Sequence, residues 1–198
     1  MTNDLVKKHY SGNQARHYDA VRQSPKWRAE EKFIVEFLRN NTNIKKIIDA
    51  PLGTNRFNDV IDECDHIEIC WGLELSKDML TAATKPSTHE KIKYIQADIS
   101  EKWDETYKGD ATIMMRMLNL VEEETALKMF GNALDASSQY VLVSLRVGEP
   151  QIIQNKIHVQ NYKVFENFAK TKGFVVDQCI KVPTDKVGQY CLISYKKK

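Results

Sequence analysis

The stretch that decides the fold runs from Ile47 to Phe57 and has the sequence IIDAPLGTNRF. An apolar strand pattern ends in an acid, and Gly53 then centres a short turn before a helical pattern begins. A second strand pattern, residues 67–73, is followed by Glu74. In α/β domains, a glycine turn followed about 20 residues later by an acid at a strand end holds a nucleoside, because the ligand approaches the turn and the acid binds the ribose hydroxyls. The stretch therefore predicts a nucleoside-cofactor site on an α/β fold.

The composition of the turn distinguishes between nucleoside cofactors. A dinucleotide carries a pyrophosphate, which requires several glycines so that backbone amides can approach it. This turn has Gly53 alone, and Pro51 lacks an amide hydrogen. S-adenosylmethionine has no phosphate, so the turn favours that cofactor over NAD or FAD.

Three consecutive motifs resemble those of one family. Residues 48–57 (IDAPLGTNRF) are similar to motif I of the class I S-adenosylmethionine-dependent methyltransferases, in the variant with Pro and Gly-Thr-Gly-Arg-Phe. Residues 72–80 (GLELSKDML) resemble the next motif, an acid followed by Ser-x-x-Met-Leu, and residues 95–99 (IQADI) resemble the third, an acid after strand three. The resemblance extends from about Tyr18 to the C-terminus. It implies a methyltransferase of small-molecule type.

The chain departs from the family pattern at Asn55, where the family usually has glycine. Such a turn position often needs a positive φ, which glycine adopts freely and Asn tolerates better than most residues. We therefore expect the turn to form. The departure also motivates an alternative: a protein of the same fold that binds S-adenosylmethionine without methyl transfer, either a cofactor-cleaving enzyme or a non-catalytic partner or regulator.

The resemblance implies a cofactor site at the ends of the first three strands. Asp49 would orient the turn or meet the methionine ammonium, and Gly53 would lie against the cofactor. Glu74 would accept the ribose hydroxyls. Asp98 would take the adenine amino group, with Ile99 near the ring. Each acid also has a purely local interpretation as a turn or helix cap. The other expected cofactor contacts are Ala50, Asn55, Leu75, Met79, Arg116 and Arg22.

Catalytic candidates lie on the acceptor side of this expected site. Arg116 follows strand four, where it would meet a substrate anion or the cofactor carboxylate; its alternative role is a surface ion pair, for example with Glu122 or Glu123. His158, near the end of an expected loop at 147–159, has an ordinary pKa suited to a general base. A lone histidine is more often structural.

The N-terminal segment, residues 1–25, is expected to fold over the cofactor as a lid, as such segments do in related enzymes. Tyr18 would line the acceptor pocket, and Arg22 would bind the cofactor carboxylate. Trp27 lies close by in the sequence. The alternative is that this segment only covers a helix.

Strand and helix patterns alternate along most of the chain, which favours βαβ units and a mostly parallel sheet. The last two strand patterns, 174–180 and 190–195, have no helix between them and must pair antiparallel. We therefore predict an α/β, Rossmann-like sheet with a C-terminal antiparallel hairpin and helices on both faces; the resemblance adds the count of seven strands. Before that hairpin, the predicted helices are 26–39, 56–64, 76–84, 122–136 and 160–172, and the predicted strands are 44–49, 67–74, 92–97, 111–116 and 139–146.

The bulk composition predicts one domain over residues 1–198, with its core in 26–198. Hydrophobic residues make up 42% and charged residues 28%, which is ordinary for a globular protein. The net charge of +2 gives no electrostatic case for a nucleic-acid or membrane partner. No apolar run suits a membrane span or a signal peptide. The four cysteines lack C-x-x-C spacing, so we expect reduced thiols, no metal site and a cytoplasmic location.

The acceptor class follows from absent motifs. The end of strand four lacks the Asn-Pro-Pro-Tyr or Asp-Pro-Pro-Tyr motif of amino-methylating enzymes, and no Pro-Cys pair for attack on cytosine is present. The sequence also lacks a basic stripe. We expect in-line methyl transfer to a small-molecule acceptor, with a Rossmann-type oxidoreductase as a further alternative. The sequence leaves the acceptor and the oligomeric state open.

Overall fold

The structure is a computed structural model that describes residues 25–84, 90–153, 157–184 and 187–198. Its helices are α1 (Pro25–Asn40), α2 (Asn58–Glu63), α3 (Lys77–Ala83), α4 (Glu123–Ala136) and α5 (Tyr162–Thr171). Its strands are β1 (Lys46–Asp49), β2 (Ile69–Glu74), β3 (Ile92–Gln96), β4 (Gly109–Met114), β5 (Ser137–Val147), β6 (Gln151–Ile153), β7 (Ile157–Val159), β8 (Phe174–Val182) and β9 (Gln189–Lys197).

Seven strands form one sheet in the order β3-β2-β1-β4-β5-β9-β8. Strands β1 to β5 pair in parallel, whereas β9 runs antiparallel to both β5 and β8. The mostly parallel sheet with its C-terminal hairpin is therefore confirmed. The strand order reverses between β1 and β4. In open α/β sheets, ligands bind beyond the carboxyl ends of the strands at such a switch point.

Two apolar cores lie on opposite faces of the sheet, as helices on both faces require. Alternate residues of β1 serve the two cores: Ile47 packs on one face and Ile48 on the other. Helices α1 and α2 cover the first face, with Ile34 and Leu38 fully buried. Helices α4 and α5 cover the second face, where Phe130 packs against Phe165 with ring centroids 5.6 Å apart.

Most expected elements are present, but several of their boundaries differ from the structure by about two residues, and one expected loop holds two strands. The helix expected from residue 56 begins at Asn58, because the turn that contains Asn55, with a φ of 61°, extends to Phe57. The expected loop at 147–159 holds the short antiparallel pair β6–β7. This pair joins the fold through backbone hydrogen bonds, including His158 N to Asn119 O at 2.8 Å. Strands of three residues are too short to leave a periodic pattern in the sequence.

A glycine in β2 lets the turn after β1 pack closely on the sheet. A Cβ at Gly72 would lie 2.8 Å from Leu52 Cδ2, inside any normal contact distance. The Leu52 amide in turn donates to Leu73 O at 2.8 Å. The contacts of Leu52 with Gly72 and Leu73 therefore fix the turn against the end of β2.

The proposed lid lies almost entirely outside the described residues, as do Tyr18 and Arg22. Trp27, at the start of α1, is described. Within the described part of the chain, none of the helices has both the length and the apolar character that a membrane span needs.

Candidate functional site

A pocket opens at the carboxyl ends of β1 to β4, at the switch point of the sheet. Its charged lining consists of three acids, Asp49, Glu74 and Asp98, and two arginines, Arg56 and Arg116. Its other lining residues are Trp27, Pro51, Leu52, Gly53, Phe57, Leu75, Met79, Ile99, Met115, Met117, Leu120 and Met129. Eight of the residues expected from the sequence thus share one pocket: Asp49, Gly53, Glu74, Leu75, Met79, Asp98, Ile99 and Arg116.

Glu74 ends β2 and is held by two backbone amides. Its Oε2 accepts from Gly53 N at 3.0 Å, and its Oε1 accepts from Ser76 N at 2.8 Å. Burial raises the pKa of this carboxyl, while the hydrogen bonds from Ser76 and Gly53 act in the opposite direction. Ser76 caps α3 with its own side chain, which accepts from Met79 N. The carboxylate of Glu74 is therefore fixed between the turn and α3 and lies on the pocket wall.

Four amides of the turn after β1 are engaged within the protein. Ala50, Leu52 and Asn55 donate to backbone carbonyls at 2.8–3.1 Å, and Gly53 donates to Glu74. The proline between Ala50 and Leu52 has no amide hydrogen. A pyrophosphate requires several amides directed at one point. The turn therefore lacks the donor set of a dinucleotide site.

Gly53 and Asn55 both adopt the left-handed conformation, with φ of 62° and 61°. A Cβ at Gly53 would make only an ordinary contact with Met79, at 3.8 Å, so the backbone angle rather than space favours glycine there. Asn55 is buried, and its Nδ2 donates to Tyr94 Oη at 3.0 Å. Its side chain is outside the pocket lining, as is that of the fully buried Ala50.

Asp98 follows β3 and closes a tight turn. Its Oδ1 accepts from Ser100 N at 2.9 Å and from Ser100 Oγ at 2.7 Å. No helix begins at this turn, so the cap alternative does not apply. Ile99 is buried, and its carbonyl accepts from Trp103 Nε1 at 3.0 Å. These bonds fix the segment that carries Asp98 and Ile99 to the pocket.

A buried acid on α1 organises the arginine side of the pocket. Glu30 is fully buried, and its Oε2 lies 2.8 Å from Arg56 Nη1. Its Oε1 accepts a short hydrogen bond from the Tyr190 hydroxyl. Burial first, and then the Glu30 carboxylate, raises the pKa of Tyr190, which keeps that hydroxyl protonated as a donor. Glu30 therefore links α1 to the turn after β1 and to β9.

Arg116 lines the pocket and does not form the surface ion pair that its sequence position also allowed. It pairs with Glu30, with 3.9 Å between Nη1 and Oε2, rather than with Glu122 or Glu123. Its guanidinium lies over the Trp27 ring, 3.3 Å from the centroid. Its backbone has a φ of 63°, and its amide donates to Ser144 Oγ at 2.7 Å. These contacts hold the side chain at the pocket wall.

Sequence analysis did not identify Glu30 or assign a role to Arg56. A signal for Glu30 was present: it lies three and four residues before Phe33 and Ile34, and therefore on the apolar face of α1. An acid at such a position is buried and needs a cationic or donor partner. The identity of that partner depends on the tertiary fold.

His158 lies on β7, away from the pocket lining. It is buried, and this burial lowers its pKa, opposed by the nearby Glu122 carboxylate. Folding therefore favours the neutral form of the His158 imidazole. The structure does not bring this residue to the place where a general base would act.

The titration of His158 should contribute to the pH dependence of the free energy of unfolding. Its ordinary pKa is 6.5 and its folded value is lower, so the unfolded chain binds more protons in the window between them. The contribution of His158 to stability is therefore complete at a pH above its pKa in the unfolded chain. That contribution is lost as the pH falls through its pKa in the folded protein. His158→Gln should flatten the pH dependence of the unfolding free energy below about pH 6.5, measured by urea denaturation. A slope equal to that of the wild type would contradict the assignment.

Comparison with known proteins supports the architecture. No family model matches the sequence, and no curated protein matches it. Among solved structures, magnesium protoporphyrin IX methyltransferase (ChlM) from Synechocystis PCC 6803, with bound SAM, has a TM-score of 0.78 at 10% identity over 98% of this chain and 96% of its own. The DhpI–SAH complex has a TM-score of 0.72 at 14% identity over 98% and 96%.

A third match is the O-methyltransferase from the trans-AT PKS multienzyme of Brevibacillus brevis, in complex with S-adenosyl-L-homocysteine. Its TM-score is 0.68 at 14% identity, over 84% of this chain and 71% of its own. Similarity at such low identity concerns the fold. This chain has the fold of the class I S-adenosylmethionine-dependent methyltransferases.

Proposed function

We propose that this chain is a methyltransferase that binds S-adenosylmethionine in the pocket at the switch point and methylates a small-molecule acceptor. The observation that carries the proposal is the combination of three carboxylates with a turn in which the amides of Ala50, Leu52, Gly53 and Asn55 already donate to protein oxygens. The cofactor presents ribose hydroxyls, an adenine amino group and an ammonium, all of which are donors, and it has no phosphate. The donor groups of this ligand match the acceptors of the pocket.

Each acid has a role in this proposal. Glu74, fixed by two amides, would accept the ribose hydroxyls, and Asp98 would accept from the adenine amino group. Asp49, at the end of β1, would face the ammonium. Leu75, Met79 and Ile99 supply apolar surface for the base. The three acids stand at or just after the ends of neighbouring strands, so one ligand can span them.

When bound, S-adenosylmethionine supplies a methyl group that is already activated on a sulfonium. The chain then has to align an acceptor with that methyl and exclude water. Apolar residues at the β4 side of the pocket, Met115, Met117, Leu120 and Met129, would exclude water there. General-base catalysis is needed only for an acceptor that still holds its proton.

A small-molecule acceptor is supported by two observations. The net charge of +2 gives no overall cationic excess of the kind that nucleic-acid-binding domains carry. Two of the structurally similar proteins are described as a magnesium protoporphyrin IX methyltransferase and an O-methyltransferase of a PKS multienzyme.

The two alternatives are less well supported. A binding protein without methyl transfer was motivated by Asn55, yet Asn55 adopts the φ that the turn needs and directs its side chain to Tyr94. An oxidoreductase would need turn amides for a pyrophosphate, and these amides donate to protein oxygens. Both observations favour the methyltransferase.

Isothermal titration with S-adenosylhomocysteine, with NAD as the control ligand, tests the proposal. We expect stoichiometric binding of S-adenosylhomocysteine and no binding of NAD. A panel of small acceptors with methyl-labelled S-adenosylmethionine would then test transfer. Binding of NAD alone, or of neither ligand, would overturn the cofactor assignment. Cofactor binding without labelled product across a broad panel would favour the protein that binds without transferring methyl.

A further inference from the structure

The charges of the pocket are segregated along the sheet. The three acids stand at or just after the ends of β1, β2 and β3, whereas Arg116 follows β4, on the other side of the switch point. Arg56 approaches from the turn and meets Glu30. The donor-rich cofactor fits the acidic side. The β4 side therefore presents a different chemistry, cationic and apolar, to whatever else enters the pocket.

Glu30 does not fully compensate the two guanidiniums near it. Its Oε2 bonds Arg56 Nη1 at 2.8 Å, and its Oε1 bonds the Tyr190 hydroxyl. Arg116 Nη1 lies 3.9 Å from Oε2, beyond hydrogen-bond distance. This nitrogen is buried and has no hydrogen-bond partner among the residues that the structure describes. The Glu30 carboxylate thus lies near two arginines. It accepts a hydrogen bond from Arg56, whereas Arg116 Nη1 lacks an acceptor within the described part of the chain.

The contacts that hold Arg116 in place leave the N–H groups of its guanidinium available for a ligand. The guanidinium carbon lies only 3.3 Å from the centre of the Trp27 ring, a separation that suits stacking of the two planes and leaves the in-plane N–H groups for acceptors other than the ring. Its backbone is held at a φ of 63°, a costly conformation for a non-glycine residue, and its amide is bound by Ser144 Oγ. A planar guanidinium fixed in this way matches a carboxylate or phosphate in two-point geometry.

We propose that Arg116 forms an oxyanion subsite that holds an acidic group of the methyl acceptor, a carboxylate or a phosphate-type group. The inference deepens the proposed function and rests on it for the identity of the ligand as an acceptor. The subsite binds the acid by charge-assisted hydrogen bonds, and the methionines beside Arg116 contact the apolar part of the same molecule. Acidic small molecules are therefore the first acceptors to screen.

Small anions test the subsite directly. Benzoate and phenylphosphonate serve as probes and benzamide as the neutral isostere, each titrated by ligand-observed NMR with and without saturating S-adenosylhomocysteine. Arg116→Asn is the main variant, because Asn accepts a positive φ and Glu30 keeps Arg56 as its partner. Arg39→Asn is the matched control, since Arg39 is an exposed arginine that pairs with Glu63.

We expect both anions to bind the wild type at least about tenfold more tightly than benzamide, because charged hydrogen bonds contribute this much. Arg116→Asn should lose that preference, and Arg39→Asn should keep it. The affinity of Arg116→Asn for S-adenosylhomocysteine should stay within about threefold of the wild type, because the acids hold the cofactor.

Two results would overturn the inference. Equal affinity for the anions and benzamide would show that no oxyanion subsite exists. A tenfold or greater loss of S-adenosylhomocysteine affinity in Arg116→Asn would assign the guanidinium to the carboxylate of the cofactor. Failure of the proposed function is separate: the wild type would then not bind S-adenosylhomocysteine, while the anion preference and its loss in Arg116→Asn would still identify the subsite.

Discussion

Replacing Glu74 with alanine is expected to weaken S-adenosylhomocysteine binding by about 1.5–3 kcal/mol, the usual contribution of charged hydrogen bonds. This corresponds to a loss of affinity of about ten- to 150-fold. The carboxylate is preorganised by the Gly53 and Ser76 amides, so little ordering is needed when a ligand binds. We expect this to be the largest effect on binding of any single acid in the pocket.

The Glu74 experiment needs a control for stability, because the alanine variant leaves the amides of Gly53 and Ser76 without their acceptor. Circular dichroism and thermal unfolding would verify that the variant is folded at the titration temperature. Glu68→Ala is the matched control, since Glu68 is exposed and lies just before the same strand. A folded Glu74→Ala protein with unchanged affinity would remove Glu74 from the site.

Replacing Glu30 with alanine is expected to lower the free energy of unfolding by about 3–5 kcal/mol, as the removal of one partner from a buried ion pair does. Arg56, whose side chain is only 13% exposed, would lose its carboxylate. The Tyr190 hydroxyl would lose its acceptor in a buried environment. Arg116 would lose its remaining anion as well.

Urea denaturation measures this effect. Glu31→Ala serves as the control, because Glu31 is the next residue of α1 and is exposed; its effect should stay within about 0.5 kcal/mol. Glu30→Gln should fall between the two, since an amide oxygen still accepts from Arg56 or Tyr190 but carries no charge. If Glu30→Ala and Glu31→Ala had equal unfolding free energies, the buried cluster would not stabilise the fold.

The confirmed features of the fold are those encoded by local pattern. Alternation of strands and helices predicted the parallel sheet, and two strands without an intervening helix predicted the antiparallel hairpin of β8 and β9. The β6–β7 pair was missed because its strands have three residues each, too few for a period. The start of α2 was misplaced by two residues because the turn that contains Asn55 extends to Phe57.

In the candidate site, too, one part could be predicted from local sequence patterns and another part could not. Asp49, Glu74 and Asp98 follow strand patterns at short range, and parallel strands bring their carboxyl ends together, so the sequence by itself determined that these acids meet in one place. Tertiary structure alone decided the arginine side. Glu30 and Tyr190 are separated by 160 residues, and Arg116 selects Glu30 over its sequence neighbours Glu122 and Glu123. The physical reason is that local periodicity locates each strand and the residue at its end, whereas a buried charge takes whichever partner the packing of helix on sheet brings within reach.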